Sequence, residues 1–267
     1  AHRINDLPGM DAFGLSFEDA DRKSPAKEVV ADYYRQYEEH YGFRVQRPVD
    51  AVSVFNRGTE LVVAVSGEGV AGGAAELVTD VVVNATGTWG SPFIPWYPGN
   101  DSFQGRHVHT TQYEDAEDFR DRSVVVVGGG TSAIGFVMEL EEVASRITWV
   151  VRRPVEFQEQ GELNLEDGRR AVAAQDEAAR QGRALPSIVS GTGVPRTRKI
   201  QAALERGVLR EREMFERVEP HGVRFADGTF VEADAIIWAT GFRPELRHLA
   251  PLKLREKEGG VLVGDGA

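Results

Sequence analysis

The chain has 267 residues, 41% hydrophobic and 27% charged, the proportions of a globular protein with one large or two modest domains. Its formal charge of −11 argues against nucleic-acid or anionic-membrane partners, which reward clustered positive charge. No apolar run reaches the roughly 18 residues of a membrane span. With no cysteine, a disulfide framework, a thiolate metal site and a redox-active cysteine pair are excluded within this stretch. A cytoplasmic location is the default expectation.

Residues 1–23 read as irregular, with a turn at 7–10. Ser24 and Pro25 read as an N-cap and a first helical position, and the helix should run to about Tyr41, ahead of Gly42. Tyr33, Tyr34, Tyr37 and Tyr41 recur at three- and four-residue spacing, which predicts one packed face. From Pro48 to Asn84 the pattern changes to short strands at 49–55, 61–65, 75–78 and 81–83, the last leading into Ala85, Thr86 and Gly87. The Pro- and Trp-rich segment 89–98 cannot be helical and reads as a rigid crossover between domains.

Residues 123–127 form a continuous apolar run of the kind found in a central parallel strand. Gly128 to Ala133 follow as a glycine-rich turn, then an apolar-periodic helix to about Ser145 and a strand at 147–151 that ends at Arg152 and Arg153. This order matches the start of a Rossmann unit. Residues 154–207 interrupt it with polar helices at 166–181 and 195–206, the second closed by Gly207. Short strands at 217–219, 223–225 and 230–232 precede a strand at 235–238, which leads into Ala239, Thr240 and Gly241. Residues 246–267 read as the start of a return to the first domain.

Residues 80–87 and 234–241 are near copies: an Asp, an apolar strand, then Ala-Thr-Gly. Yet there is one glycine fingerprint. The separation of Gly128 from Ala239, counted back from Ala85, falls before residue 1. The expectation is two dinucleotide-binding units, the first lacking its opening half, in a chain that is part of a longer one.

The fingerprint has a specific chemistry. Gly128 permits the tight turn, Gly130 lets the backbone approach a pyrophosphate, and Ala133 stands where a third glycine usually allows helix–strand contact. Thr131 and Ser132 open the helix, whose unpaired N–H groups and dipole favour phosphate. A nucleophile elbow around Ser132 is discounted, because Ile134 stands where its last glycine should be. At the end of the second strand an acid would accept from a ribose 2′-hydroxyl, whereas arginine suits a 2′-phosphate. Arg152 occupies that strand end and Arg153 follows, with no acid at either position, so NADPH is predicted over NADH.

Phe103, Gly105, His109 and Tyr113 fit the pattern Phe-x-Gly-x-x-x-His-x-x-x-Tyr just before the fingerprint. This segment resembles the identifying motif of the flavin-containing monooxygenases. Tyr113 resembles their flavin-containing and N-hydroxylating branches, where Trp would point to the Baeyer–Villiger branch. The resemblance implies an α/β fold: a Rossmann-like NADP-binding domain with a parallel sheet and a small β-meander, inserted into an FAD-binding α/β domain that is incomplete here. It implies a partial FAD domain and linker at 1–115, an NADPH domain at 116–245 and a return to the FAD domain from 246. It places Ala85, Thr86 and Gly87 on the FAD side and Ala239, Thr240 and Gly241 with NADP. It implies transfer of oxygen from O₂ to a nitrogen, sulfur or ketone of a small substrate, with NADPH and, in the intact protein, FAD as cofactors. His109 is implied to support geometry and NADP handling rather than to act as a base.

His107 and His109 alternate on an extended segment and share a face. With no acidic partner nearby, a structural role is expected rather than a metal site. A homodimer is compatible with this reading. Two other functions are weighed: a flavin-dependent NAD(P)H reductase without oxygen insertion, and a non-catalytic NADP-binding module.

Overall fold

In the computed structural model the described residues are 24, 26–158, 165–185, 193–257 and 261–263. The turn expected at 7–10 and the first helical position at Pro25 lie outside them. The chain forms two compact units by contact, one drawn from residues 1–52 and 62–78, the other from 53–61 and 79–267.

Helix α1 spans Ala26–Tyr41. Of its four tyrosines only Tyr33 is buried, while Tyr34 and Tyr41 are exposed. The expected single packed face is therefore corrected. Tyr37 and Tyr41 instead cluster with each other and with Phe43, their ring centroids 4.8–5.8 Å apart. Strands β1 (Asp50–Arg57), β2 (Glu60–Ser66) and β3 (Ala74–Thr79) form a three-stranded sheet in that order.

The strand expected at 81–83 is absent. Val81 and Val83 are 70% and 85% exposed. A strand is held by its neighbour's ladder, and no described segment runs alongside this one. Its sequence has the composition of a strand but not the partner.

The second unit is built on a five-stranded parallel sheet. Its strands are β4 (Arg106–His109), β5 (Ser123–Val127), β6 (Arg146–Val151), β9 (Glu211–Glu213) and β13 (Ala235–Trp238), in the order β4-β13-β5-β6-β9. The valines of β5 alternate between two cores. Val124 and Val126 pack with Ala133, Ile134 and Val137 of helix α2 (Thr131–Leu140). Val125 and Val127 pack with Phe215, Val223 and Trp238 on the other face. That second face is covered by an antiparallel meander, β10 (Arg217–Glu219), β11 (Gly222–Arg224) and β12 (Phe230–Glu232). A parallel sheet buried on both faces needs strands that are apolar throughout, which is why β5 lacks the alternation of a half-exposed strand.

Helix α2 ends at Leu140, short of the expected end near Ser145. The chain turns there, with the N–H groups of Val143 and Ala144 both donating to Leu140 O. Between β6 and β9 lie β7 (Phe157–Gln158), helix α3 (Leu165–Arg180), β8 (Val194–Pro195) and helix α4 (Arg198–Arg206), the last closed by Gly207 in the left-handed conformation. Pro195, expected in that helix, lies in β8. Strand β4 falls on the extended segment expected around His107 and His109, whereas β9 had no counterpart, being too short to show a period.

Candidate functional site

The sheet order creates a switch point. From β5 the chain moves outward to β6 and β9, then returns through β13 on the other side of β5. The carboxyl ends of β5 and β13 therefore mark the position where open α/β sheets bind ligands. The glycine fingerprint follows β5, and Ala239, Thr240 and Gly241 follow β13. Two motifs far apart in sequence thus meet at one edge.

The turn is held from three sides. The N–H of Gly128 donates to Val150 O at 3.0 Å, and the N–H of Ala239 donates to Val127 O at 2.8 Å. The Trp149 indole donates to Gly128 O at 2.7 Å. Gly128 has φ 141°, and a Cβ there would collide with the carbonyl of Ala239. Only glycine serves at this approach. Gly130 caps α2 with no side-chain hydrogen bond, and a Cβ on it would meet nothing within 4 Å. The N–H groups of Thr131, Ser132 and Ala133 in the first turn of α2 have no acceptor within the helix, and the positive end of the helix dipole lies behind them. This cradle suits a pyrophosphate in shape and charge.

Arg152 and Arg153 leave the end of β6 and are exposed. With Val151, Pro154, Glu211, Arg212, Glu213 and Met214 they line an open pocket of about 380 Å³. Among the described residues neither arginine forms an ion pair. Arg212 is committed elsewhere: its guanidinium lies 3.8 Å from the centre of the Phe225 ring and 3.7 Å from the Asp227 carboxylate.

The segment at 103–113 docks on the same edge. His109 ends β4 with 1% exposure. Its Nδ1 faces the N–H of Thr111 at 3.3 Å and must accept, so Nε2 carries the proton and donates to Gly241 O at 3.0 Å. His107 is fixed likewise. The Trp238 indole donates to its Nδ1 at 2.9 Å, and its Nε2 donates to Asn100 O at 3.1 Å. The two rings are thus hydrogen-bonded struts in this network. A Cβ on Gly105 would strike Asp234 O and the Phe103 ring. Phe103 packs against His107 at 5.1 Å, away from the glycine turn. Tyr113 packs on Phe119 and Phe136 and donates to Glu139 of α2 at 3.1 Å. Burial, and then the Glu139 charge, push its phenol above its ordinary range. The motif therefore ties segment 103–113 to Gly241 at one point and to α2 at another.

Each Ala-Thr-Gly segment is bonded to the stretch of chain that follows the other. Phe93 N–H donates to Gly241 O at 3.1 Å, Arg243 N–H to Ser91 O at 2.9 Å and Glu245 N–H to Gly87 O at 3.0 Å. The Thr240 hydroxyl donates to Phe93 O, and the Thr86 hydroxyl to Glu245 O at 2.7 Å. Trp89 stacks on Phe242 at 5.4 Å. The Ser91 hydroxyl donates to the Glu245 carboxylate at 2.5 Å, which with Arg247 holds that carboxyl below its ordinary range. Ala85, Thr86 and Gly87 are exposed, and Ala85 joins none of these bonds. Trp149, Ser91 and Glu245 escaped sequence reasoning. The first is an ordinary strand residue by pattern. The other two find each other across most of the second unit's length of chain.

Residues 6–166 match the family described as pyridine nucleotide-disulphide oxidoreductase. A solved flavin-containing monooxygenase from Stenotrophomonas maltophilia superposes with a TM-score of 0.74 at 30% identity, covering 92% of this chain and 66% of that one. Senecionine N-oxygenase of Tyria jacobaeae is 37% identical over 68 residues, 26% of this chain and 15% of that protein. Trimethylamine monooxygenase of Pelagibacter ubique (strain HTCC1002) is 38% identical over 69 residues, 26% of this chain and 16% of that protein. These matches span less than two thirds of the length of the proteins concerned.

Proposed function

The chain belongs to the pyridine nucleotide-disulphide oxidoreductase family, and from that premise we propose that it supplies the NADPH-binding part of an FAD-containing monooxygenase. The observation that carries this reading is the bond from His109 Nε2 to Gly241 O. It fastens the monooxygenase-like linker to the loop beside the glycine cradle. The likeness to the Stenotrophomonas monooxygenase over most of this chain supports the same reading. The absence of cysteine removes the disulfide chemistry in the family's description from this stretch.

The residues fit a dinucleotide. Gly128 and Gly130 would let the backbone approach the pyrophosphate, and the N–H groups of Thr131, Ser132 and Ala133 would hold it. Arg152 and Arg153 would take the 2′-phosphate, which arginine can engage bidentately. Ala239, Thr240 and Gly241 form the opposite lip, kept in register by His109 and Thr240. Bound NADPH supplies a hydride for a flavin. No second glycine fingerprint occurs in the chain, so FAD is assigned to the intact protein, with Ala85, Thr86 and Gly87 on its side. In this reading 1–115 is a partial FAD domain and linker, 116–245 the NADPH domain and 246–267 the return. The substrates are O₂ and a small organic nitrogen, sulfur or ketone compound. Among the described residues no helix is long and apolar enough to cross a membrane. A cytoplasmic location and a homodimer complete the proposal, to be checked by fractionation and by light scattering.

The test uses the full-length protein. NADPH oxidation should require O₂ and yield an oxygenated amine, sulfide or ester in proportion to NADPH consumed. Stoichiometric reduction of another acceptor without oxygen insertion would establish a reductase. NADP⁺ binding without flavin absorbance would establish a binding module.

A further inference from the structure

We propose that Glu213 is a specificity residue that opposes the arginine pair, lowering the preference of the site for a 2′-phosphorylated dinucleotide. This rests on the reading that Arg152 and Arg153 receive the 2′-phosphate. The pocket at the end of β6 carries both signs of charge: Arg152 and Arg153 from β6, Glu211 and Glu213 from β9. Arg212 lies in the same wall, but its guanidinium is held by Phe225 and Asp227. The charges left to a ligand are therefore two cations and two anions.

The register singles out Glu213. In the parallel ladder Trp149 faces Glu211 and Val151 faces Glu213. Glu213 is thus level with the last residue of β6, immediately before Arg152, and is exposed. Glu211 is one side-chain repeat back from the carboxyl edge and partly buried. Ligands of open α/β sheets sit beyond that edge, so Glu213 stands closer to the ribose. A carboxylate beside a phosphate dianion is repulsive. Beside an unphosphorylated ribose it instead offers an acceptor for the 2′-hydroxyl.

The experiment is titration of the full-length protein with NADP⁺ and NAD⁺ by calorimetry, for the wild type and for Glu213→Gln, Glu211→Gln and Arg152→Ala. Glu213→Gln should raise the ratio of NADP⁺ to NAD⁺ affinity roughly three- to tenfold, the size of one partly screened charge contact. Glu211→Gln should raise it less. The inference is overturned if Glu213→Gln leaves the ratio unchanged, weakens both dinucleotides equally, or moves it less than Glu211→Gln. Arg152→Ala reports separately on the underlying reading: it should lower the ratio, and an unchanged ratio there overturns the arginine assignment itself.

Discussion

Gly128 shows how one residue can set the shape of the site. Its φ of 141° and the Ala239 carbonyl beside it leave no room for a side chain. Gly128→Ala should destabilise the protein by about 2 kcal/mol, from backbone strain and steric displacement. It should also abolish NADP⁺ binding. Urea unfolding and dinucleotide titration check the two effects. His109 acts by hydrogen bonding. Its Nε2 proton is fixed because Nδ1 must accept from Thr111. His109→Phe removes one of two bonds to Gly241 O, which keeps the Phe93 N–H, and leaves the Thr111 N–H without its acceptor, and should cost about 1 kcal/mol. NADP⁺ affinity should fall with it if the Gly241 loop forms the lip of the cradle, whereas an unchanged affinity would confine His109 to stability. The tight turn at Gly128 was legible in the sequence, because a glycine turn between a strand and a helix is a local signal. The roles of Trp149 and Glu245 were not, since each is defined by a carbonyl or hydroxyl far away in the chain.

The elements differ in how they are held. The meander β10–β12 covers the second core and is pinned at its edge by Glu219, which accepts from Arg224 at 2.8 and 2.9 Å and from Arg217 at 3.0 Å. These bonds hold the Glu219 carboxyl at about 2, against an ordinary 4.5. A carboxyl depressed in the folded state stabilises fully above its unfolded value, and that contribution is lost as pH falls from about 4.5 towards 2. Glu219→Gln should flatten the acid limb of a stability–pH curve over that window and leave the neutral region less stable than wild type. Thermal denaturation from acid to neutral pH measures it. The bidentate pair from Arg206 of α4 to Glu141 beyond α2 is solvent-exposed. Water screens such a pair and its side chains lose freedom in forming it, so Arg206→Ala should leave the chemical-denaturation midpoint nearly unchanged. Residue spacing located α1 and α2, whose turns repeat aromatic or apolar positions, while α3 and α4 were read as polar helices, the second closed by Gly207. Sequence pattern failed at 81–83, where composition favours a strand but a ladder needs a neighbour.

At the scale of the whole second unit, the organising feature is the set of bonds from each Ala-Thr-Gly segment to the stretch of chain that follows the other. Glu245 sits at its centre, bonded through its backbone to Gly87 and Thr86 and through its carboxylate to Ser91. Glu245→Ala removes the carboxylate bonds and keeps the backbone ones. It should lower the thermal midpoint by roughly 2–4 °C, the scale of one modest interaction in a domain of this size. NADP⁺ affinity should stay intact, because the glycine cradle is not touched. Thermal shift with and without NADP⁺ separates those outcomes. The sequence by itself determined strands β5, β6 and β13, the glycine turn, the arginine pair and the repeated tripeptide, since each is written in consecutive residues with its own steric or charge signature. Only the tertiary structure decided that each tripeptide bonds to the segment following the other, that His109 reaches Gly241, and that Glu213 shares a pocket with Arg152. These contacts join segments distant along the chain. Their backbone and side-chain partners are chosen by sheet order and register, which leave no periodic trace in the residues themselves.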